Sequence, residues 1–301
     1  MNSKKNFWLG IGTGVLGVVL FSSKAVMVKL AYKFDVDAIS VLLLRMSFSF
    51  PIYIIIAYLY RHQNTSIHTS SKDYLWLIFF GFVGYYLASY FDFIGLTYIK
   101  ASLERIILFL YPTIVLLLNR FFLKQNITTP QIIAITLTYL GIVIAFWDEV
   151  NISGEGTLLG GSFILLSAIA YASYLVGSGW LIPKFGIMKF TSYAMVVSCI
   201  CVFIHYALVN KTDILNLPWE VYFLGFLIAV FATVVPSFLV STSIKMISSS
   251  NFAVVAGVGP ISTIILAVIF LEERLTILQL FGALIVVLGV LFISLHKSSK
   301  T

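Results

Sequence analysis

Charge is scarce in this chain of 301 residues. Asp, Glu, Lys and Arg together make up 10% of it, against about 25% in an ordinary soluble domain. With 60% apolar residues and a mean hydropathy of +1.03, the chain cannot coat a water-facing surface, which excludes a soluble multidomain enzyme and a disordered protein. Cysteine is nearly absent: Cys199 and Cys201 sit two apart in an apolar run and point nearly opposite ways on a helix, so no disulfide framework is expected. His62, His68, His205 and His296 are dispersed and no HExxH string occurs, so no metal site is expected. Gly154-Glu155-Gly156 opens like a phosphate loop but lacks the third glycine and a preceding strand. No ATP-binding sequence follows elsewhere, and no cofactor is expected. The formal net charge of +7 comes from basic residues scattered singly between apolar stretches, which argues against nucleic acid and for a membrane protein oriented by its loops.

What is present is long apolar runs. A helix crossing the hydrocarbon needs roughly 20 mostly apolar residues, and ten such segments occur at about 7–31, 38–60, 74–93, 102–120, 130–147, 157–180, 188–209, 219–243, 251–271 and 276–296. Solid runs such as Ile132–Trp147 exclude a membrane β-barrel, whose segments are short and alternating. The first segment is too long for a signal-peptide core and reads as an uncleaved helix. An even number of spans puts both termini on one side. If that side is cytoplasmic, the inner segments hold Lys4, Lys5, Arg61, Lys72, Arg120, Lys124, Lys184, Lys189, Lys245, Lys297 and Lys300 against Asp73 alone. The outer loops hold Lys29, Lys33, Lys100, Lys211 and Arg274 among nine acidic residues. Eleven basic residues inside against five outside is a positive-inside bias, so the chain is expected in the cytoplasmic (inner) membrane with both ends cytoplasmic.

The two halves align without a gap at a shift of 148 residues. Ser102, Pro112, Thr128, Gln131 and Gly141 fall on Ser250, Pro260, Thr276, Gln279 and Gly289. Five spans is an odd number, so the second copy must enter the membrane the opposite way up. The expectation is an all-α integral membrane protein of ten transmembrane helices, built as two inverted five-helix repeats over 7–147 and 157–296, an arrangement recurrent in transporters. Single glycines and prolines mark packing and bending. Gly10, Gly14 and Gly17 form a small face on the first span. Pro112 and Pro260, with Gly257 and Gly259, are expected to act as paired hinges, each proline freeing a carbonyl by its missing hydrogen bond. Pro236 is expected to bend the eighth span.

The stretches GLTYIKASLERIILFLYPTIVLLLNRFFL (Gly95–Leu123) and PISTIILAVIFLEERLTILQLFGALIVVLG, within Ser249–Gly289, resemble the two EamA repeats of the drug/metabolite transporter superfamily. The second copy follows the family's FLxERLTxxQxxGxxLxxxGV pattern closely; the first departs from it with Lys124-Gln125-Asn126. The resemblance implies ten helices in an inverted five-plus-five topology, and export or exchange of small organic metabolites.

Charges at membrane depth are expensive and mark function. Here they are Lys24, Arg45, Asp92, Glu104 and Arg105, all in the first four spans, with His205 as a sixth candidate. In a functional reading, Lys24 and Arg45 line a cavity for a substrate carboxylate and Asp92 or Glu104 carries a coupling proton. In a structural reading, Asp92–Lys24 and Glu104–Arg45 pairs staple helices together. Arg105 is expected to snorkel to the outer interface. Polar stripes at helical spacing should face inward: Arg45, Ser49 and Tyr53; Tyr85, Ser89 and Asp92; Ser167, Tyr171, Tyr174 and Ser178; Thr233, Ser237 and Ser241; and Glu104 above Tyr111. The candidate substrate-binding residues are therefore Lys24, Arg45, Tyr85, Ser89, Asp92, Glu104, Tyr111, Tyr171 and Tyr174.

These readings add up to a secondary transporter, not an enzyme, moving small metabolites such as amino acids or other carboxylates by alternating access. It works among membrane lipids as a monomer or homodimer. The competing reading, an intramembrane lipid-modifying enzyme, needs a clustered acid/base or metal constellation near one interface, and the sequence shows none.

Overall fold

The computed structural model describes residues 2–62, 69–123, 129–153, 156–209 and 214–297. His68, Lys124, Thr128, Gly154, Glu155, Lys211, Asp213 and Lys300, which enter the sequence arguments, lie outside the described residues. The described chain is helical, with no strand. Helix α1 (Asn2–Tyr32) leads to α2 (Ala38–Leu59), which starts at Asp37, whose carboxylate caps the Ser40 N–H and hydroxyl at 2.9 and 2.8 Å. Helix α3 (Ser71–Gly81) starts with a capping box between Ser70 and Asp73, and runs through a π-turn, Phe82–Leu87, into α4 (Ala88–Tyr98). Next come α5 (Ala101–Leu108), α6 (Tyr111–Leu123), α7 (Thr129–Ser153), α8 (Thr157–Phe185) and α9 (Ile187–Val209). Helix α10 (Trp219–Ala229) passes through a second π-turn, Val230–Val234, into α11 (Val235–Val255), followed by α12 (Val258–Leu271) and α13 (Ile277–Lys297).

Among the described residues, seven continuous helical stretches are long and apolar enough to cross a membrane: Asn6–Tyr32, Ala38–Leu59, Ser71–Tyr98, Ala101–Phe121, Thr157–Phe185, Ile187–Val209 and Trp219–Ser249. Val258–Leu271 and Ile277–Gly289 are shorter apolar helices. The surface is inside-out relative to a soluble protein. Trp8, Ile55, Phe79, Leu208 and Ile277 are exposed, while Lys24, Arg45, Asp92, Glu104 and Arg105 are buried. Apolar groups meet hydrocarbon at no cost, whereas polar groups must find partners inside the bundle.

Packing pairs the halves in a regular way. Helix α1 lies on α11 and α12, and α8 lies on α4 and α6; α2 packs on α9 and α7 on α13. The small face of α1 sits where expected: a Cβ on Gly14 would lie 2.6 Å from Ser243 Oγ, and one on Gly10 2.7 Å from Ile247 Cγ2. The irregularities recur at the 148-residue spacing. The π-turns begin at Phe82 and Val230, the non-helical Ser248 (φ 73°) corresponds to the break before Ala101, and the turn at Phe109-Leu110 has its counterpart at Ala256-Gly257, one residue short of the full shift.

The proline mechanism differs from expectation. Pro112 is the second residue of α6 and Pro260 the third of α12. In a first helical turn the proline N–H is not needed, so neither ring removes a hydrogen bond or frees a carbonyl. The chain bends one step earlier, at Phe109-Leu110 and Ala256-Gly257, where Leu110 N–H donates to Ile107 O at 3.0 Å and Gly259 N–H to Ala256 O at 2.8 Å. Gly257 lies in the break and Gly259 in the turn that follows. Pro236 is the second residue of α11, in the first turn after the second π-turn.

Candidate functional site

Helices α1, α4 and α5 bring three ionisable side chains, Lys24, Asp92 and Glu104, together in the buried interior. Lys24 Nζ lies 2.6 Å from Asp92 Oδ2, with side chains 4% and 1% exposed. The Glu104 carboxyl meets that of Asp92. No described N–H or O–H donor reaches either carboxyl apart from the Lys24 ammonium on Asp92. The expected Lys24–Asp92 pair is therefore present. The expected Glu104–Arg45 pair is not formed: Glu104 turns to Asp92, and Arg45 is held elsewhere.

Arg45 is fully buried. Its Nε donates to Thr233 Oγ1 at 2.7 Å and its Nη1 to Ser89 Oγ at 2.9 Å, while Nη2 has no hydrogen-bond partner among the described residues. The guanidinium carbon stands 5.6 Å from the centre of the Phe93 ring. Thr233 is placed by the second π-turn, whose looser winding lets its hydroxyl donate to Ile228 O, five residues back, at 2.8 Å. Tyr85 occupies the corresponding position in the first π-turn, so both irregular turns aim a polar side chain inward.

Arg105 does not snorkel. It is 5% exposed, and donates from Nε to Thr263 Oγ1 at 2.8 Å and from Nη2 to Phe21 O at 3.3 Å. This inward course joins α5 to α12 and α1. Sequence reasoning missed it because a charge one turn from a helix start reads equally well as interfacial. Thr263, in an apolar helix, was the signal available.

A small cavity of about 40 Å³ lies between these groups, lined by Lys24, Tyr85, Ser89, Arg105, Tyr111, Ser167 and Tyr171 among apolar neighbours such as Phe109, Val240 and Phe252. Lys24, Tyr85, Ser89, Tyr111 and Tyr171 are thus brought together. Arg45, Asp92, Glu104 and Tyr174 stand behind them. Tyr174 stacks its ring 4.7 Å from that of Tyr85, edge to face, and Tyr111 meets Tyr171 at 5.2 Å. All the polar stripes face inward, and several tie helices together: Tyr53 and Ser237 hydroxyls are 2.9 Å apart, and Thr191 donates to Ser241 at 2.7 Å. His205, only partly buried, hydrogen-bonds Tyr86 at 3.0 Å away from the cavity.

A site of about 40 Å³ has room for a few waters at roughly 10–15 Å³ each. It is far below the several hundred Å³ of an occupied ligand pocket. A second, larger cleft of about 1210 Å³ lies at the end of the bundle where α1 and α3 start and α6 and α8 finish, lined by Trp76, Phe79, Asn119, Trp180 and Lys245 among others. The opposite end is tied shut. Glu273, between α12 and α13, accepts from Ala101 N–H at 2.8 Å, Ser102 N–H at 3.1 Å and the Ser102 hydroxyl at 2.5 Å. Lys29 donates to Leu96 O at 3.0 Å and Tyr32 to Phe93 O at 2.7 Å.

At the 148-residue shift, Lys24, Asp92, Glu104 and Arg105 correspond to Ala172, Val240, Phe252 and Ala253. The polar cluster therefore belongs to one half, and Val240 and Phe252 give the cavity an apolar opposing wall.

Comparison with known proteins agrees with this architecture. The sequence profile of the EamA-like transporter family matches residues 8–147 and again 158–295. The chain is 30% identical over 273 residues to YcbK of Bacillus subtilis, named an uncharacterized transporter, covering 89% of this chain and 87% of that one. It is 25% identical over 213 residues to an Arabidopsis thaliana protein named a probable sugar phosphate/phosphate translocator, covering 67% and 60%. A solved crystal structure superposes with a TM-score of 0.70 over 97% of this chain and 99% of that one at 11% identity, a likeness of fold.

Proposed function

The chain belongs to the EamA-like transporter family of multi-pass membrane proteins, and from that premise we propose that it is a secondary transporter of small organic anions, amino acids or other carboxylates among them. Ten spans in two inverted repeats, 7–147 and 157–296, embed it in the cytoplasmic membrane with both termini inside. The matched π-turns and helix breaks support the repeat, and the charge bias supports the orientation. Substrate enters the central cavity from the larger cleft. Opening of the Glu273 end and closure of the cleft then deliver it to the other side. Export and exchange both use this cycle, with the breaks at Phe109-Leu110 and Ala256-Gly257 as hinges.

The observation that carries the anion reading is the excess of cations. Lys24 and Arg105 line the cavity and Arg45 stands directly behind Ser89, whereas among the described residues Asp92 is the one carboxylate paired to any of them. A guanidinium with a free Nη2 suits a carboxylate or phosphate oxygen. The tyrosines supply hydroxyl donors and flat apolar faces for the rest of a small metabolite. A thermal-shift screen of metabolites on the purified protein, repeated on Arg45→Ala, tests this. Carboxylates that stabilise the wild type and not the variant support the anion site; equal shifts in both reject it for Arg45.

A further inference from the structure

The Asp92 and Glu104 carboxyls touch each other, out of water, on two successive helices. Both are oxygen acceptors when ionised, and no described N–H or O–H donor other than Lys24 reaches them. Two carboxyl groups in contact in a dry site cannot both stay ionised, and a single proton shared between them relieves the repulsion. The groups that face the pair from the packed elements are Lys24 and Tyr32 on α1, Arg45 on α2 and Arg105 on α5. Beyond Arg105 stand Tyr171 on α8 and Thr263 on α12. Only Lys24 makes an ion pair with either carboxyl among the described residues.

We infer that the Asp92–Glu104 pair holds one exchangeable proton and that this proton is the coupling ion, carried in the same direction as the anionic substrate. The second part rests on the anion-transport reading. The charge count gives the sign. With one shared proton the pair carries one negative charge against three cations, Lys24 and Arg105 on the cavity wall and Arg45 behind Ser89, which leaves two positive charges in excess. A monovalent anion bound there cancels half of that excess. With the anion bound, losing the proton places a second negative carboxylate charge beside it, so anion and proton favour each other's binding. Unloading is a simple transfer: the shared O–H bond breaks, the proton passes to water entering the opened cavity, and the carboxylate keeps the electron pair. The cation partner stays in place throughout, because Lys24 remains on Asp92.

Infrared difference spectroscopy of the full chain in lipid tests the pair without knowledge of the substrate. The C=O stretch of a protonated carboxylic acid is read while the pH is raised from about 5 to about 9, the range around neutrality in which a proton carrier loads and unloads. The expected result is one such band that disappears within this range and is lost in Glu104→Gln. Asp92→Asn, which keeps the hydrogen-bonding shape, should alter the band's position. Absence of the band, indifference to both substitutions, or persistence of the band unchanged to the top of the range overturns the inference. Pyruvate, succinate and inorganic phosphate are then added as probes. Those that raise the melting temperature should move the band's disappearance to higher pH; a shift to lower pH overturns the shared direction. If no probe raises the melting temperature, the anion reading fails, whatever the band does.

Discussion

Lys24 and Asp92 join α1 to α4 through a 2.6 Å ion pair that is almost wholly out of water, and the same ammonium lines the cavity. Strength and availability are combined in one group. The pair holds two helices at the depth where an isolated charge is costly, and it leaves the ammonium's remaining protons for a ligand.

Removing one partner strands the other. Lys24→Met is expected to destabilise the fold by about 3–5 kcal/mol, because Asp92 is left as an uncompensated buried charge. Lys24→Met combined with Asp92→Asn should recover most of that loss. Thermal unfolding in detergent reads both; equal melting temperatures for the single and double variants would contradict the assignment.

The helix crossing between α8 and the first π-turn depends on a missing side chain. A Cβ on Gly84 would lie 2.1 Å from Tyr174 Cβ, an overlap that requires the backbones to separate. Gly84→Ala is expected to cost about 1–3 kcal/mol. Gly12→Ala, whose Cβ would meet nothing within 4 Å, should be neutral or slightly stabilising. The same unfolding assay compares them.

In the proposed cycle, the tie at Glu273 favours the state in which that end is closed. Glu273→Ala removes the acceptor of two backbone N–H groups and a hydroxyl. A closing bias worth about 1.4 kcal/mol corresponds to a tenfold change in the closed-to-open ratio. In a background carrying Leu108→Cys in the cavity wall, Glu273→Ala should raise thiol labelling from that end by about tenfold. Labelling from the cleft end should fall.

Arg45 and Thr233 illustrate unequal partners. Thr233→Val removes one interhelical hydrogen bond, a loss of roughly 0.6 kcal/mol, and should leave transport measurable. Arg45→Lys keeps the charge but cannot serve Thr233 and Ser89 from one planar group. A fall in transport of at least about tenfold, with little change in melting temperature, is the expected outcome.

Much of this was legible in the sequence. Apolar run length marked the seven long apolar helices found among the described residues, out of ten spans expected, and the i, i+3, i+4, i+7 offsets placed Arg45, Ser49 and Tyr53, and Tyr85, Ser89 and Asp92, on inward faces. Both signals depend only on local chain geometry. What escaped is set by neighbours distant in sequence. The π-turns carry no composition signature, although they place Tyr85 and Thr233. Periodicity gives a residue's face but not its partner, so a Glu104–Arg45 pair, one of the two readings open to the sequence, gives way to the meeting of Glu104 with Asp92. Pro112 and Pro260 mark the breaks, yet the bend falls at the residues before them. Glu273 belonged to a family motif whose packing role needs the fold to be seen.

Counterflow in liposomes tests the central claim most directly. Vesicles containing the purified protein are loaded with unlabelled pyruvate, succinate, glutamate or 3-phosphoglycerate and diluted into the labelled compound. The account predicts transient accumulation of at least one of these anions, lost in Arg45→Ala and reduced in Arg105→Gln, in vesicles where both variants remain folded. Folded wild-type protein that accumulates none of them, or accumulation unaffected by either substitution, would contradict it.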